Sequence, residues 1–269
     1  MPFLLYCKKG VVILLQLHDA KHFRFDGKLD KRWFIVNTTN ETSFSLGRKK
    51  SLQTETGIFQ PIFKGVTSEL PSFNVEIFKV NDNLEPDEMT MQDLFELNKW
   101  LDRSEPKALE VNGFVYYGIF SPQNGMWYPN NLGRIELKFD MAIPYMYGAM
   151  VENNYRVKES KLVNIENKSN IDELVYPDIE IKVISGDSVT IKNLTNGKET
   201  TLNNLKVDNI YRIYNQERQM VNLTNVKENV YFNSNRKYIG LIYGINRFSI
   251  TTNGEVKVKF TYQPKVCLQ

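Results

Sequence analysis

The sequence predicts a mainly β protein with a single α-helix, arranged as two β-sandwich domains. Three observations carry that prediction. Alternating apolar and polar runs recur roughly every ten residues with turn chemistry between them, the pattern of a sandwich. Asn-Gly pairs stand at 112–113, 196–197 and 253–254, and Asn-Gly is the strongest short hairpin signal. One stretch alone, 90–101, carries a broad apolar face at helical spacing.

At 269 residues the chain exceeds an average domain, which favours two. The N-terminal stretch "MPFLLYCKKGVVILLQLH" is interrupted by Lys8 and Lys9, and "VVILLQL" is too short to span a bilayer. No small-residue cleavage site follows it, so a buried strand is expected rather than a signal sequence or a membrane insertion. Strands are expected at "FRFDGK" (23–28), "RWFIV" (32–36) and "FNVEIFKV" (73–80).

The helix follows. Thr90 with Asp93 forms a capping-box pattern, and Pro86, Asp87 and Glu88 crowd the start with dipole-compatible residues. Met91, Leu94, Phe95, Leu97, Trp100 and Leu101 supply the apolar face, and Ser104-Glu105-Pro106 ends the helix. Leu94, Leu97, Trp100 and Leu101 are the expected packing residues against a sheet. "KALEV" and "FVYYGIF" then flank Asn112-Gly113 as a hairpin, and "RIELKF" (134–139) alternates as a strand.

From 151 to 176 the chain turns polar and asparagine-rich, and this segment reads as a connector. The expected domains are therefore 1–150, with the first 20 or so residues unassigned, and 151–269. In the second, "DIEIKVI" and "EVKVKFTY" (255–262) alternate cleanly, and the two later Asn-Gly pairs read as hairpins.

The formal charge is +3, and the densest basic run, "GRKK" at 47–50, reads as a solvated loop, so no nucleic-acid recognition is expected. Cys7 and Cys267 lie at opposite ends, which gives neither a disulfide framework nor a zinc spacing and suits assembly in a reducing cytoplasm. His18 and His22 are spaced i, i+4, but no Glu-x-x-His pattern completes a metal site. The chain has no nucleophile elbow, Walker loop or dinucleotide fingerprint. The acidic pairs Asp87/Glu88 and Asp172/Glu173 fall where helix starts and polar connectors place them. No catalytic, metal or cofactor residue is assigned, and the expectation is a protein without enzymatic activity. In the loop "SPQNGMWYPNNLG" (121–133), Trp127 and Tyr128 support two readings: a platform that stacks on sugar or anchors an interface, and a loop pinned by its own aromatics.

The order of phrases resembles the distal tail protein (Dit) family of long-tailed bacteriophages. It runs "FNVEIFKV", a helix ending "LNKWL", a hairpin with "FVYYGIF", then "GRIELKFDMAIPYMYG", with "YPDIEIKV", "YGINRFSI" and "VKVKFTYQP" later, and covers about 20–265. No single motif is invariant chemistry, and the specificity lies in co-occurrence. The resemblance implies a ring-forming N-terminal sandwich carrying one helix and a protruding hairpin, and a galectin-like C-terminal sandwich. It implies a homohexameric ring, single or as two stacked rings, at the distal end of the tail in the virion, made in the bacterial host cytoplasm. The partners implied are the tail tube protein, the tail-associated hub or lysin protein and the receptor-binding apparatus, with no cofactor. The second half lacks tryptophan and histidine, which sugar-binding galectins use. Two other classes compete: a monomeric carbohydrate-binding sandwich protein recognising cell-wall glycans, and a sandwich glycan hydrolase with two isolated carboxylates.

Overall fold

Turn chemistry sets the frame of the first half. In a computed structural model, residues 4–5, 13–14, 21–37, 48–53, 62–68, 70–85, 87–122 and 134–267 are described. They divide into two units, Met1–Met146 with Cys267–Gln269, and Tyr147–Val266. Two short strands, β1 (Leu4–Leu5) and β2 (Ile13–Leu14), pair antiparallel near the N-terminus. Next come β3 (Lys21–Phe25) and β4 (Lys28–Asn37), joined by Asp26 and Gly27 at φ 51° and 73°. Two consecutive positive φ values make a type I′ turn, whose twist matches the strands it joins. The stretch 23–28, expected as one strand, is therefore a hairpin corner, because Asp-Gly supplies the turn.

β5 (Arg48–Gln53) and β6 (Ile62–Ser68) form a separate two-stranded sheet. β7 (Ser72–Lys79), β8 (Lys107–Val111), β9 (Phe114–Pro122) and β10 (Arg134–Met141) complete the main sheet of this unit. Its order is β10-β7-β4-β3-β8-β9, and β9 pairs back to β10, so the two layers of the expected sandwich are one sheet curled until it closes. Closure pairs Gly118–Pro122 with Leu137–Met141, covering edges that would otherwise invite aggregation. Gly118 sits at the seam opposite Met141, where an added Cβ would lie 2.3 Å from the Asp140 carbonyl oxygen. Asn112 and Gly113, at φ 53° and 78°, make a second type I′ turn between β8 and β9, as expected.

The interior holds Phe23, Phe25, Trp33, Ile77, Leu109 and Phe139, all at 1% exposure or less. Phe120 packs edge-on to Phe25 and Phe139 at 5.0 and 4.9 Å between ring centres. Rings in that geometry gain about 0.5–1.5 kcal/mol per pair beyond area burial. On β7 the alternation is incomplete: Val75, Glu76, Ile77 and Phe78 are all buried. Phe78 and Val80 form a small second cluster with Phe34 and Val36.

The second unit is organised by two long strands, β12 (Val151–Asn167) and β18 (Gly244–Tyr262), which follow the two-residue β11 (Met146–Tyr147) and precede β19 (Lys265–Val266). Between them lie β13 (Asp178–Ser185), β14 (Val189–Asn193), β15 (Glu199–Leu202), β16 (Ile210–Tyr214) and β17 (Gln219–Asn222). The first half of β18 pairs with β14 and the second half with β13, while β12 follows it throughout. The pair bends where Glu159 takes φ 59° and the register shifts between Lys158 and Ser160, so one strand serves both layers. Strands that switch layers through bulges and bends are how such corners are made.

Two expectations change here. Asn253-Gly254 is a bend inside β18, not a hairpin. Its Asn253 Oδ1 accepts from the backbone N–H of Asp187 and Ser188, and a Cβ on Gly254 would meet the Ser185 carbonyl oxygen at 2.3 Å. Residues 151–167 of the expected connector are a paired strand, because their alternation (Val157, Val163 and Ile165 inward) is masked by polar outward positions. Inside, Ile179, Ile181, Val183, Phe248, Ile250 and Phe260 show 0% exposure.

Candidate assembly surfaces

In the first unit the helix α1 (Met91–Leu101) is fixed at both ends. Thr90 Oγ1 accepts from the Asp93 N–H at 3.2 Å, and the Thr90 N–H donates to Asp93 Oδ2 at 2.9 Å, so the capping box is present. Lys79 Nζ reaches the same carboxylate at 3.0 Å and Asp87 at 3.1 Å. Burial works to raise the Asp93 pKa, but the Thr90 hydroxyl and N–H and the Lys79 ammonium outweigh it and hold the group at about 2. The last turn is held by Trp100, whose indole N–H donates to the Phe25 carbonyl at 2.9 Å and whose ring stacks on Phe23 at 4.9 Å.

Of the packing residues expected on this helix, Leu97, Trp100 and Leu101 lie in the core at 3–4% exposure, and Leu94 is half-buried. Met91 and Phe95, which the periodicity groups with them, point outward at 57% and 67% exposure. Asp93 takes a buried place instead, because its carboxylate is fully engaged by the cap and Lys79. The outward side of α1 thus presents two large apolar side chains beside an ionic rim, in which Arg32 donates to Asp30 at 2.7 Å and to Glu96 at 3.0 Å.

Chemistry is sparse. Among the described residues no group of three or more His, Cys, Asp or Glu side chains is placed to hold a metal ion, and no helix of the described residues is long and apolar enough to cross a membrane. His22 is half-buried on β3, with its ring stacked on Phe34 at 4.2 Å. His18, Trp127 and Tyr128 lie outside the described residues.

The second unit carries a feature that sequence reading missed. The segment after β17 leads into a 3-10 turn, Val230–Asn233, where Asn229 Oδ1 caps the Tyr231 N–H. Phe232 is 77% exposed, and the Arg236 guanidinium lies 5.5 Å from the Tyr231 ring and 5.8 Å from the Phe232 ring. Tyr238 donates to the Arg218 carbonyl at 2.6 Å and approaches the Tyr231 hydroxyl at 3.2 Å. Burial, then the Tyr231 hydroxyl, push the Tyr238 hydroxyl pKa upward. These residues are spread over twenty positions, and no periodicity links them.

Comparison with known proteins shows what kind of fold the two units carry. Residues 145–262 match the family model for the phage tail C-terminal domain. The second half of the chain is similar to that tail domain. The distal tail (Dit) protein of bacteriophage SPP1, described as a paradigm of the hub adsorption apparatus in phages infecting Gram-positive bacteria, shares the fold of this chain over nearly its whole length. It is 14% identical, with a TM-score of 0.62, covering 91% of this chain and 98% of that one. A protein of the phage P2 baseplate in its activated conformation is 12% identical at a TM-score of 0.48, covering 90% and 97%. No curated protein matches this chain in sequence. The Dit-like architecture expected from the order of phrases is thus present.

Proposed function

We propose that this chain forms a hexameric ring at the distal end of a long-tailed phage tail, joining the tail tube to the tail-associated hub and the host-adsorption apparatus. The observation that carries the reading is the Dit fold over 91% of the chain, together with the phage tail domain in its second half. In this reading 1–150 builds the ring, and the helix that a β protein would otherwise not need serves that assembly. Its packed face holds the sheet, while Met91 and Phe95 face outward. Exposed large apolar side chains beside charged rims are typical of association surfaces. The half from 151 onward carries docking surfaces on the ring's periphery. No reaction is run, and no cofactor is required.

Closed rings bury heterologous interfaces, so the mass in solution should be about six times 31.4 kDa, or twice that if two rings stack. Light scattering on the purified chain reads this directly, and negative-stain images should show rings. A monomer at tens of micromolar that is also absent from purified tails would end this reading. A monomeric species that instead bound cell-wall glycan would favour the carbohydrate-binding class.

A further inference from the structure

We propose that the ledge formed by Tyr231, Phe232, Arg236, Tyr238 and Arg218 in the second unit docks a segment of another protein bearing a carboxylate beside an apolar side chain. The proposal goes beyond the ring, and it rests on the tail reading only for where the partner comes from.

The ledge is exposed where an isolated domain gains nothing by exposure. Phe232 is 77% and Tyr231 37% exposed. Scattered apolar side chains need no explanation, but here two aromatic rings share one guanidinium. Arg236 has no acidic partner among the described residues, and neither has Arg218. The nearby Glu228 is taken up by Lys206 at 3.5 Å and by the Asn222 amide at 2.9 Å, so it neutralises neither arginine. A cation held over aromatic faces and left without a counter-charge is complementary to a carboxylate, and arginine and tyrosine dominate the anchor residues of protein interfaces.

The same geometry argues against a saccharide. The Tyr231 and Tyr238 hydroxyls are turned to the Arg218 carbonyl, at 3.4 and 2.6 Å. Asn229 is spent on capping the turn, and Asn233 Oδ1 accepts from Asn204 at 3.2 Å. The polar groups that would read sugar hydroxyls are therefore used internally, and Arg236 takes an aromatic face on which a sugar would stack. What stays free is the guanidinium N–H fork and the apolar edge of Phe232. The tyrosine hydrogen bonds also pre-order the ledge, which lowers the entropy lost on docking.

The test uses the full chain and a labelled synthetic peptide alternating aspartate with phenylalanine. A peptide with asparagine in place of aspartate and a soluble N-acetylglucosamine oligomer serve as comparators. The acidic peptide should bind, and the asparagine peptide should bind about ten-fold more weakly or worse. Arg236→Gln and Phe232→Ser should each weaken the acidic peptide about ten-fold or more. Thermal midpoints and solution mass should stay unchanged. Should Arg236→Gln misfold, Arg236→Lys, which keeps the charge and loses the fork, should show a smaller loss. Equal binding of both peptides, or equal binding by the variants, overturns the proposal. Binding of the sugar oligomer that is lost in Arg236→Gln overturns it in favour of a glycan site, and a fall in mass with Phe232→Ser makes the ledge a contact between copies. If the chain is monomeric yet the peptide binds as described, the ring falls and the ledge stands.

Discussion

Replacing Asp93 by asparagine isolates one charge in the anchor of the first unit. The carboxylate is held at a pKa of about 2 against an ordinary 3.8, even though its burial opposes ionisation. At about 1.36 kcal/mol per unit, that difference is a ceiling of about 2.4 kcal/mol for the charged form. Water at the open side of the cluster screens part of it, so about 1–2 kcal/mol should be lost in Asp93→Asn at neutral pH. A carboxyl whose pKa is depressed by folding contributes above its unfolded pKa, and the contribution fades as pH falls through the folded one. The parent and the variant should therefore differ fully above about pH 5 and converge between about pH 4 and 2. Other depressed carboxylates, such as Asp30 and Asp140, titrate in both proteins and cancel in the difference. All three tryptophans belong to the first unit, so urea unfolding followed by indole emission reads that unit alone. A gap that stays constant from pH 7 to pH 2.5 would refute the argument, because it would mean that the loss arises from shape rather than charge.

Four further outcomes are expected. Leu97→Ala should cost the first unit about 2–5 kcal/mol by lost burial and a residual cavity, again read by indole emission. His22→Ala should leave solution mass and tail assembly unchanged. Gly254→Ala should destabilise the second unit strongly, since the clash is with backbone at 2.3 Å, while Gly113→Ala, with open space around its Cβ, should cost only about 1 kcal/mol of turn strain; thermal unfolding compares the two. Asn193→Ala should cost the second unit about 1–3 kcal/mol, measured by far-ultraviolet circular dichroism in urea, because it strands the Thr195 N–H and removes one of the two donors that reach each of the Gly240 carbonyl and the Asn246 amide oxygen.

Some of the fold is legible in the sequence because the signal is local. Thr90 and Asp93 are three residues apart, and Asn112-Gly113 needs only its own φ angles, so the helix start and that hairpin follow from chain chemistry. Where the outcome turned on distant partners, local signals misled. Asn253-Gly254 carries the same dipeptide as a turn, yet β13 and β14 flank β18 on either side of it and hold the strand through. Phe95 fits the helical period but lies beyond the arc that the closed sheet can cover. The asparagine richness that reads as loop and connector has a different cause. Asn167, Asn193, Asn215, Asn222 and Asn246 are buried at 1% exposure or less. Their amides bridge backbone groups that no strand neighbour reaches; Asn215, for example, donates to the Pro177 carbonyl and accepts from the Ile239 N–H. The Tyr231–Arg236 ledge was illegible because no periodicity marks it and the carbonyl that orders its tyrosines, that of Arg218, is supplied by the turn between β16 and β17.

The bent strand β18 also determines when the second unit can exist during synthesis. It is the common neighbour of β12, β13 and β14, yet it leaves the ribosome after all three. Arg156 and Glu255, which pair across it, are 99 residues apart in sequence. Until β18 emerges, β12 has no partner in this unit and β13 and β14 each present an open side, so the nascent chain waits with bare strand edges. Chains built on such distant pairings fold slowly and are exposed to misassociation meanwhile. The polar, charge-rich outward face of β12 suits that interval, since lysine and glutamate along a waiting edge discourage neighbouring nascent chains from joining it.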